Sequence, residues 1–284
     1  MNASVWKTEA GRDLVLARYR AHLDSSLGEG TERRLLDTSY GPTFTVGMAA
    51  PGKPPVVLLH GSASNSASWL GVLPLYARRL SAHCLDIPGE PGLSSPERLR
   101  LASDAPSRWL GECLDALGLE RVAFVGMSLG GWYALDFAAR HPERVSALSL
   151  FAAGGIAPQR IGFLFTALAC LALGAKGRRL LARAIYRDAE IPEELLEYQA
   201  LVSRHFRPLA EPLPIFPDSS LARLAMPLQY IAGEHDALLR AADSVARLEA
   251  LLPGADARLV AGAGHAIIDR FGESEAFLAG ALLA

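Results

Sequence analysis

The chain has 284 residues, of which 50% are hydrophobic and 20% are charged, and its formal net charge is -2. A chain of this length and composition is long enough to fold as one large domain around its own core. The nearly balanced charge offers no broad basic surface, so we expect no nucleic-acid partner.

The cysteines and the N-terminal residues indicate in which cellular compartment the protein resides. Cys84, Cys113 and Cys170 are odd in number and far apart, which fits neither a disulfide framework nor a zinc-ligand spacing. The N-terminal residues mix acidic and basic side chains at helical spacing and lack the apolar run of a signal peptide, so they predict a surface helix. We therefore expect reduced core thiols, no bound metal and a cytoplasmic protein.

Strand-like runs follow the N-terminal helix. The stretch ERRLLDTSYGPTFTVGMA, around a Gly-Pro turn, predicts a peripheral antiparallel hairpin. Six short apolar runs come next, and helix-like segments separate most of them: PPVVLLHG, SAHCLDIPG, RVAFVG, VSALSLFAAG, MPLQYIAGEHD and DARLVAGAGH. Such alternation predicts an α/β fold with a mostly parallel, doubly wound sheet covered on both faces. Ligands of such sheets gather at the carboxyl ends of the strands.

The helices between these runs are predicted from three segments and one insertion. SASWLGVLPLYARRL, APSRWLGECLDALGL and LGGWYALDFAARHP each predict a helix. Between residues 156 and 220 the strand rhythm gives way to helical segments and a proline-rich exit. We therefore divide the chain into a core of residues 1–155 and 221–284 and a helical cap insertion over residues 156–220.

The most apolar stretch of the chain, residues 161–175, lies inside this predicted cap. It is shorter than the roughly twenty residues that cross a bilayer, so we expect no stable membrane insertion. Three interpretations stay open for its phenylalanines and leucines: they favour an apolar substrate, they pack the cap onto the core, or they touch a membrane surface.

Ser128 is the first candidate for chemistry. GMSLGG at residues 126–131 has the spacing of a nucleophile elbow, in which a serine occupies a sharp strand-to-helix turn between small residues. The other interpretation is that Ser128 only caps the following helix, since serine is a favourable cap. A serine nucleophile needs a histidine base, and the histidine needs an acid that orients it.

His265 and Asp236 supply these partners. His265 follows the last apolar run in a glycine-rich loop, and Asp236 ends the run before it. The order serine, acid, histidine is the one that the elbow motif predicts. Glu234 and His235 precede Asp236 and are alternatives to it, but Asp236 occupies the position that follows the bend of the chain. Asp86 also ends a strand, and we assign it a structural contact with the backbone.

Two backbone N–H groups are predicted to stabilise the oxyanion of a tetrahedral intermediate. Leu129 follows the nucleophile at the start of a helix and supplies one N–H. Ser62 supplies the other from the turn LLHGSASN, in which Gly61 allows a close approach. We expect His60 to order this turn by hydrogen bonding and not to act as a base.

Together these motifs resemble the α/β-hydrolase superfamily, and most of all its small microbial carboxylesterases with a helical cap. The resemblance rests on His60-Gly61, DIPGEPGLS, GMSLGG, GEHD and GAGH, in order and spacing from about residue 40 onward. It implies an α/β-hydrolase fold and a Ser128-His265-Asp236 hydrolase that needs no cofactor. Two features depart from the family pattern: a Glu-Pro pair interrupts the usual D-x-x-G-x-G-x-S, and no proline follows GEHD.

The functional prediction is an enzyme that hydrolyses small apolar carboxylic esters through an acyl-enzyme. A serine at the elbow excludes the aspartate chemistry of the related haloalkane dehalogenases and epoxide hydrolases. The same triad could act on a lactone, a thioester or a carbon-carbon bond, or exchange peroxide for water. From another class, the fold could serve as a ligand-binding protein with little or no turnover.

Overall fold

A computed structural model describes residues 4–160, 162, 174–187 and 191–283 of the chain. Eight strands of these residues form one sheet. In chain order the strands are β1 (Glu32–Leu36), β2 (Thr43–Met48), β3 (Pro55–Leu59), β4 (Ser81–Leu85), β5 (Val122–Met127), β6 (Val145–Phe151), β7 (Leu228–Gly233) and β8 (Asp256–Val260).

The sheet has the order β1-β2-β4-β3-β5-β6-β7-β8. The predicted hairpin is confirmed, because β1 and β2 pair antiparallel at one edge, and β2 is also antiparallel to β4. The strands β3 to β8 run parallel to one another, as the six apolar runs predict. Their carboxyl ends therefore share one edge of the sheet.

Helices cover both faces of this sheet. Alternate residues of β5 show it, because Phe124 belongs to one hydrophobic cluster while Ala123 and Val125 belong to another on the opposite face. The described helices of the core are α1 (Glu9–Ser26), α2 (Ala67–Leu70), α3 (Leu73–Ala77), α4 (Ala105–Leu117), α5 (Leu129–Arg140), α9 (Ala241–Leu251) and α10 (Phe271–Leu283).

The segment SASWLGVLPLYARRL forms two short helices, so the prediction of a single helix is wrong. α2 ends before Gly71, and α3 begins at Leu73 with a proline in its first turn. Proline is favourable only in the first turn of a helix, because it has no N–H to donate and clashes with the preceding turn. A new helix therefore starts there.

The N-terminal segment before α1 is bound to the chain around residue 206 by backbone hydrogen bonds and ring packing. The backbone of Lys7 donates to the His205 carbonyl at 2.8 Å, and that of Arg207 donates to the Val5 carbonyl at 2.8 Å. Trp6 meets Phe206 edge to face, with 5.6 Å between the ring centroids. Residues that are far apart in the sequence thus form one small apolar cluster.

The predicted cap, residues 156–220, is described in part. Its described helices are α6 (Gly174–Tyr186), α7 (Glu193–His205) and α8 (Asp218–Leu221). Most of the apolar stretch 161–175, including Phe163, Phe165 and Cys170, lies outside the described residues, and the cap boundaries stay a prediction. Within the described ranges, no helix is both long and apolar enough to cross a bilayer.

Candidate active site

Ser128 occupies a strained turn between β5 and α5. Its backbone has φ 52 and ψ -109, which a residue with a Cβ rarely adopts and which costs about 1–3 kcal/mol. Small neighbours are required there, because a Cβ on Gly130 would lie 2.1 Å from the Leu59 carbonyl oxygen of β3. The turn therefore brings the serine to the carboxyl ends of two adjacent strands.

Ser128, His265 and Asp236 form a continuous hydrogen-bonded chain. Ser128 Oγ lies 3.0 Å from His265 Nε2, and His265 Nδ1 lies 2.8 Å from Asp236 Oδ2. The side chain of Ser128 makes no capping bond to α5, so the capping interpretation is not supported. A histidine protonated at Nδ1 can donate to the aspartate while Nε2 accepts the serine proton.

Asp236 is itself held in place. Its Oδ1 accepts the backbone N–H groups of Leu238 at 2.7 Å and Leu239 at 2.9 Å, and its side chain is fully buried. Glu234 instead accepts the Gly262 N–H at 3.1 Å. Of the acidic candidates at this strand end, only Asp236 reaches His265 within the described part of the chain.

The loop that carries Ser62 passes directly beside the nucleophile. A Cβ on Gly61 would lie 3.7 Å from Ser128 Cβ, which is ordinary van der Waals contact distance. Leu129 is the first residue of α5, where the N–H has no acceptor within the helix. The two predicted oxyanion donors thus flank the serine on neighbouring elements, and their role stays a prediction.

His60 orders the Ser62 loop, as expected. Its Nδ1 lies 2.8 Å from the Gly61 carbonyl, and its Nε2 accepts the Ile87 N–H at 2.9 Å. Complete burial lowers the pKa of His60, which keeps the ring neutral and both nitrogens engaged. This histidine is therefore structural.

Asp86 makes the structural contacts expected of it, and a further one to α1. Its Oδ1 accepts the Ser66 N–H at 2.8 Å and the Ser66 hydroxyl at 2.6 Å. The Tyr19 hydroxyl donates to the same oxygen at 3.0 Å, and the Leu93 N–H donates to Oδ2 at 2.8 Å. One buried carboxylate therefore joins α1 to the loops after β3 and β4.

Glu90 is a buried carboxyl group beside the predicted oxyanion loop, and the sequence pattern gives it no role. It accepts the Ala63 N–H at 2.5 Å. Burial raises the pKa of Glu90 to about 7, against the opposing effects of the Ala63 N–H, the charge of Arg98 and the Ser62 hydroxyl. Its sequence signal is an acidic residue in a glycine- and proline-rich turn, but such a pattern does not tell which backbone group the carboxyl will reach.

Helices of the predicted cap contact both sides of the site. The Tyr198 hydroxyl of α7 lies 2.7 Å from Asn65 Nδ2, which also donates to the Pro91 carbonyl at 2.8 Å. On the opposite side, the Ala266 N–H donates to the Ile185 carbonyl of α6 at 3.1 Å. No sequence signal marks Tyr198, because only tertiary packing decides which face of α7 reaches this loop.

Metal chemistry has no obvious ligand set here. The described residues contain no group of three or more histidine, cysteine, aspartate or glutamate side chains arranged to hold an ion. Cys84 and Cys113 are free and buried, as predicted, and burial raises the pKa of both thiols. These thiols are therefore poor nucleophiles at neutral pH.

Comparisons with known proteins agree with this arrangement. A model of the alpha/beta hydrolase family matches residues 56–279. An uncharacterized carboxylesterase of Bacillus subtilis (strain 168), nap, is 28% identical over 241 residues, a match that covers 82% of this chain and 80% of that protein. A 2-hydroxymuconate semialdehyde hydrolase of Pseudomonas putida is 31% identical over 212 residues, covering 73% and 66% respectively.

Solved structures give the same picture of the fold. The crystal structure of carboxylesterase CesB (YbfK) from Bacillus subtilis superimposes with a TM-score of 0.81 at 24% identity, covering 97% of this chain and 99% of that one. The predicted mostly parallel sheet of this fold class and the resemblance to microbial carboxylesterases are confirmed.

Proposed function

The chain belongs to the alpha/beta hydrolase family, and we propose that it is a serine hydrolase of carboxylic esters. The observation that carries the proposal is the hydrogen-bonded chain from Ser128 Oγ through His265 to Asp236, with distances of 3.0 and 2.8 Å. A serine hydroxyl is a weak nucleophile unless a base removes its proton, and this arrangement supplies an oriented base.

Acylation begins when Ser128 Oγ attacks the ester carbonyl and its proton passes to His265 Nε2. Asp236 stabilises the resulting imidazolium through Nδ1 without taking its proton. The tetrahedral intermediate then collapses, the bond to the alcohol oxygen breaks, and His265 gives its proton to the departing alcohol. The acyl group remains on Ser128.

Deacylation repeats these steps with water. His265 removes a proton from a water molecule, whose oxygen attacks the acyl carbon. The second tetrahedral intermediate releases the carboxylic acid as the proton returns to Ser128. In both halves the N–H groups of Ser62 and Leu129 donate to the oxyanion, which is where preorganised dipoles give their largest benefit.

The substrate class follows from the carboxylesterase relatives. Their shared fold and the nap match at 28% identity over 82% of this chain support a small carboxylic ester as substrate. An apolar acyl or alcohol group fits the predicted cap residues 161–175. The cytoplasmic location stays a prediction.

Hydrolysis of a carbon-carbon bond is the second candidate. The match at 31% identity to a 2-hydroxymuconate semialdehyde hydrolase favours it, and the same triad could serve both reactions because the difference lies in the shape of the pocket. Lactone and thioester hydrolysis stay open on the same ground.

Hydrolysis of p-nitrophenyl esters from acetyl to dodecanoyl tests the proposal. We expect turnover in the wild type and a loss on the order of 10⁵–10⁶ in kcat in Ser128→Ala. Ser25→Ala removes an exposed serine hydroxyl of α1 and should leave turnover unchanged.

The acyl-chain profile and a fluorophosphonate probe separate the alternatives. Activity that peaks at short or medium chains supports a carboxylesterase, and activity that rises with chain length supports a lipase. Covalent labelling of Ser128 without ester turnover would support a carbon-carbon or lactone hydrolase. A wild type that neither turns over esters nor reacts with the probe would contradict the hydrolase proposal and support the ligand-binding alternative.

A further inference from the structure

Glu90 is a buried carboxyl group that the proposed mechanism does not use. It lies in the loop after β4, and its side chain is turned toward the neighbouring loop after β3, which carries Ser62. The residue is only 4% exposed. Burying a carboxylate is unfavourable unless hydrogen bonds or charges compensate for the lost hydration, so its contacts in this place require an explanation.

Its contacts fall on the predicted oxyanion loop. Glu90 Oε2 accepts the Ala63 N–H at 2.5 Å, and the neighbouring Ser62 hydroxyl favours the ionised form of the carboxyl group by lowering its pKa. Ala63 has φ 55, the left-handed region that a residue with a Cβ rarely adopts. A strained backbone of this kind persists only where surrounding contacts hold it, and the bond to Glu90 is such a contact.

The conformation of Ala63 reaches the predicted oxyanion donor through one intervening residue. The donor is the Ser62 N–H, which lies in the peptide between Gly61 and Ser62. If Ala63 relaxed to an ordinary φ, the Ser62–Ala63 peptide would rotate, and the φ and ψ angles of Ser62, which orient its N–H, would have to change with it. An oxyanion donor is effective only when it is oriented before the charge develops.

We propose that Glu90 is the positioning residue of the oxyanion loop and that, in its ionised form, it holds Ser62 and Ala63 in the conformation that catalysis requires. The inference rests on the proposed function, because a loop that binds no oxyanion needs no such support. Glu90 touches no reacting atom in this scheme and acts only through the backbone of the loop.

The surroundings of Glu90 favour no fixed salt bridge. Among the described residues, the charged and titratable groups that act on it are Arg98 from the same loop and Tyr133 of α5. Arg98 is engaged elsewhere, since it donates to the Arg207 carbonyl and its guanidinium lies 5.4 Å from the centre of the Phe206 ring. The Ala63 N–H is therefore the direct hydrogen-bond partner of the carboxyl group.

Ionisation changes how firmly Glu90 holds the loop. An ionised Glu90 accepts the Ala63 N–H through a charge-assisted hydrogen bond, and such bonds are about twice as strong as neutral ones. Protonation removes the charge and leaves a weaker, neutral acceptor for this N–H. Because burial raises the pKa of Glu90 to about 7, the loop is held less firmly as the pH falls below neutrality.

Two substitutions of Glu90 and one control test the proposal. Glu90→Leu removes the acceptor of the Ala63 N–H, and we expect kcat for p-nitrophenyl acetate to fall at least tenfold while KM changes little. Glu90→Gln keeps a neutral carbonyl acceptor for this N–H, so it should recover most of kcat. Glu275→Gln alters another buried glutamate, which pairs with Arg79 and contacts none of the proposed catalytic residues in the described hydrogen bonds, and it should leave kcat unchanged.

The pH profile separates positioning from a general structural role. In the wild type, kcat/KM should fall below about pH 7 as Glu90 takes up a proton. Glu90→Gln has no proton to take up at this position, so its fall should be shallower. Superimposable profiles, or a Glu90→Leu variant that keeps full kcat while folded, would overturn the proposal.

A measurement without turnover keeps this inference distinct from the proposed function. Hydrogen exchange of the peptide that carries residues 60–66 should be slow in the wild type and in Glu90→Gln and fast in Glu90→Leu at about pH 8. Unchanged exchange in Glu90→Leu would refute the role of Glu90 even in an active esterase. Faster exchange in Glu90→Leu, in a protein whose wild type shows no ester turnover, would support the role of Glu90 and contradict only the proposed reaction.

Discussion

Replacing Glu90 by glutamine should stabilise the protein above neutral pH. Burial raises the pKa of this group from 4.5 to about 7, and each pKa unit corresponds to about 1.4 kcal/mol, so the ionised form lowers the folding stability by roughly 3 kcal/mol. The folded state binds the proton more tightly than the unfolded state. The stabilisation of the folded state by protonated Glu90 is therefore fully present below pH 4.5 and is lost as the pH rises through about 7.

Urea unfolding of the wild type and of Glu90→Gln, followed by circular dichroism at several pH values, measures this effect. The two proteins should be nearly equal near pH 4.5 and should differ by up to about 3 kcal/mol near pH 8, the variant being the more stable. Groups that titrate equally in both proteins cancel in this difference.

Glu275→Gln is the matched control, because Glu275 is also buried but accepts two bonds from Arg79, at 2.7 and 2.6 Å. The control should lose stability at pH 8, since it weakens charge-assisted bonds. A Glu90→Gln variant that is less stable than the wild type at pH 8, or a difference between them that does not change with pH, would refute the reasoning.

Other predictions concern the elbow, the triad and the buried loops. Gly130→Ala places a Cβ 2.1 Å from the Leu59 carbonyl oxygen and should lower the unfolding free energy by about 3 kcal/mol. Gly280→Ala adds a Cβ in open space on α10 and should raise the unfolding free energy by about 0.5–1 kcal/mol. Urea titration measures both changes. Asp236→Asn should fold normally yet lose about 10⁴ in kcat, because the asparagine no longer stabilises the correct tautomer of the histidine; ester turnover beside circular dichroism measures it. Asp86→Asn replaces an acceptor of four hydrogen bonds and should cost roughly 2–3 kcal/mol; a smaller loss in urea unfolding would show that water replaces those bonds.

The elements that could be predicted from the sequence are those fixed by local pattern and parallel topology. Continuous apolar runs can be recognised along the chain, and the carboxyl ends of parallel strands meet at one edge. Ser128, Asp236 and His265 each follow such a run, so their meeting in space follows from three local observations. The order of the strands within the sheet is left open by these patterns.

The parts that could not be predicted depend on contacts between distant residues. The break between α2 and α3 is an exception, because the proline in the first turn of α3 marks it locally within a pattern that otherwise reads as one helix. Glu90 reaches Ala63 across 27 positions of sequence, and Tyr198 reaches Asn65 across 133. Neither spacing is periodic, so no pattern within one element encodes it.

The attachment of the N-terminal segment to α7 has a consequence for the order of events during synthesis. The Lys7 side chain donates to the Ser203 carbonyl across 196 positions of sequence, which a ribosome elongating at about 5–20 residues per second takes roughly 10–40 s to translate. Through that interval Val5 and Trp6 have left the ribosome without the Val202 and Phe206 side chains that bury them in the native state. The nascent chain therefore carries an uncovered apolar segment, which a chaperone can bind, until the second half of the protein has emerged.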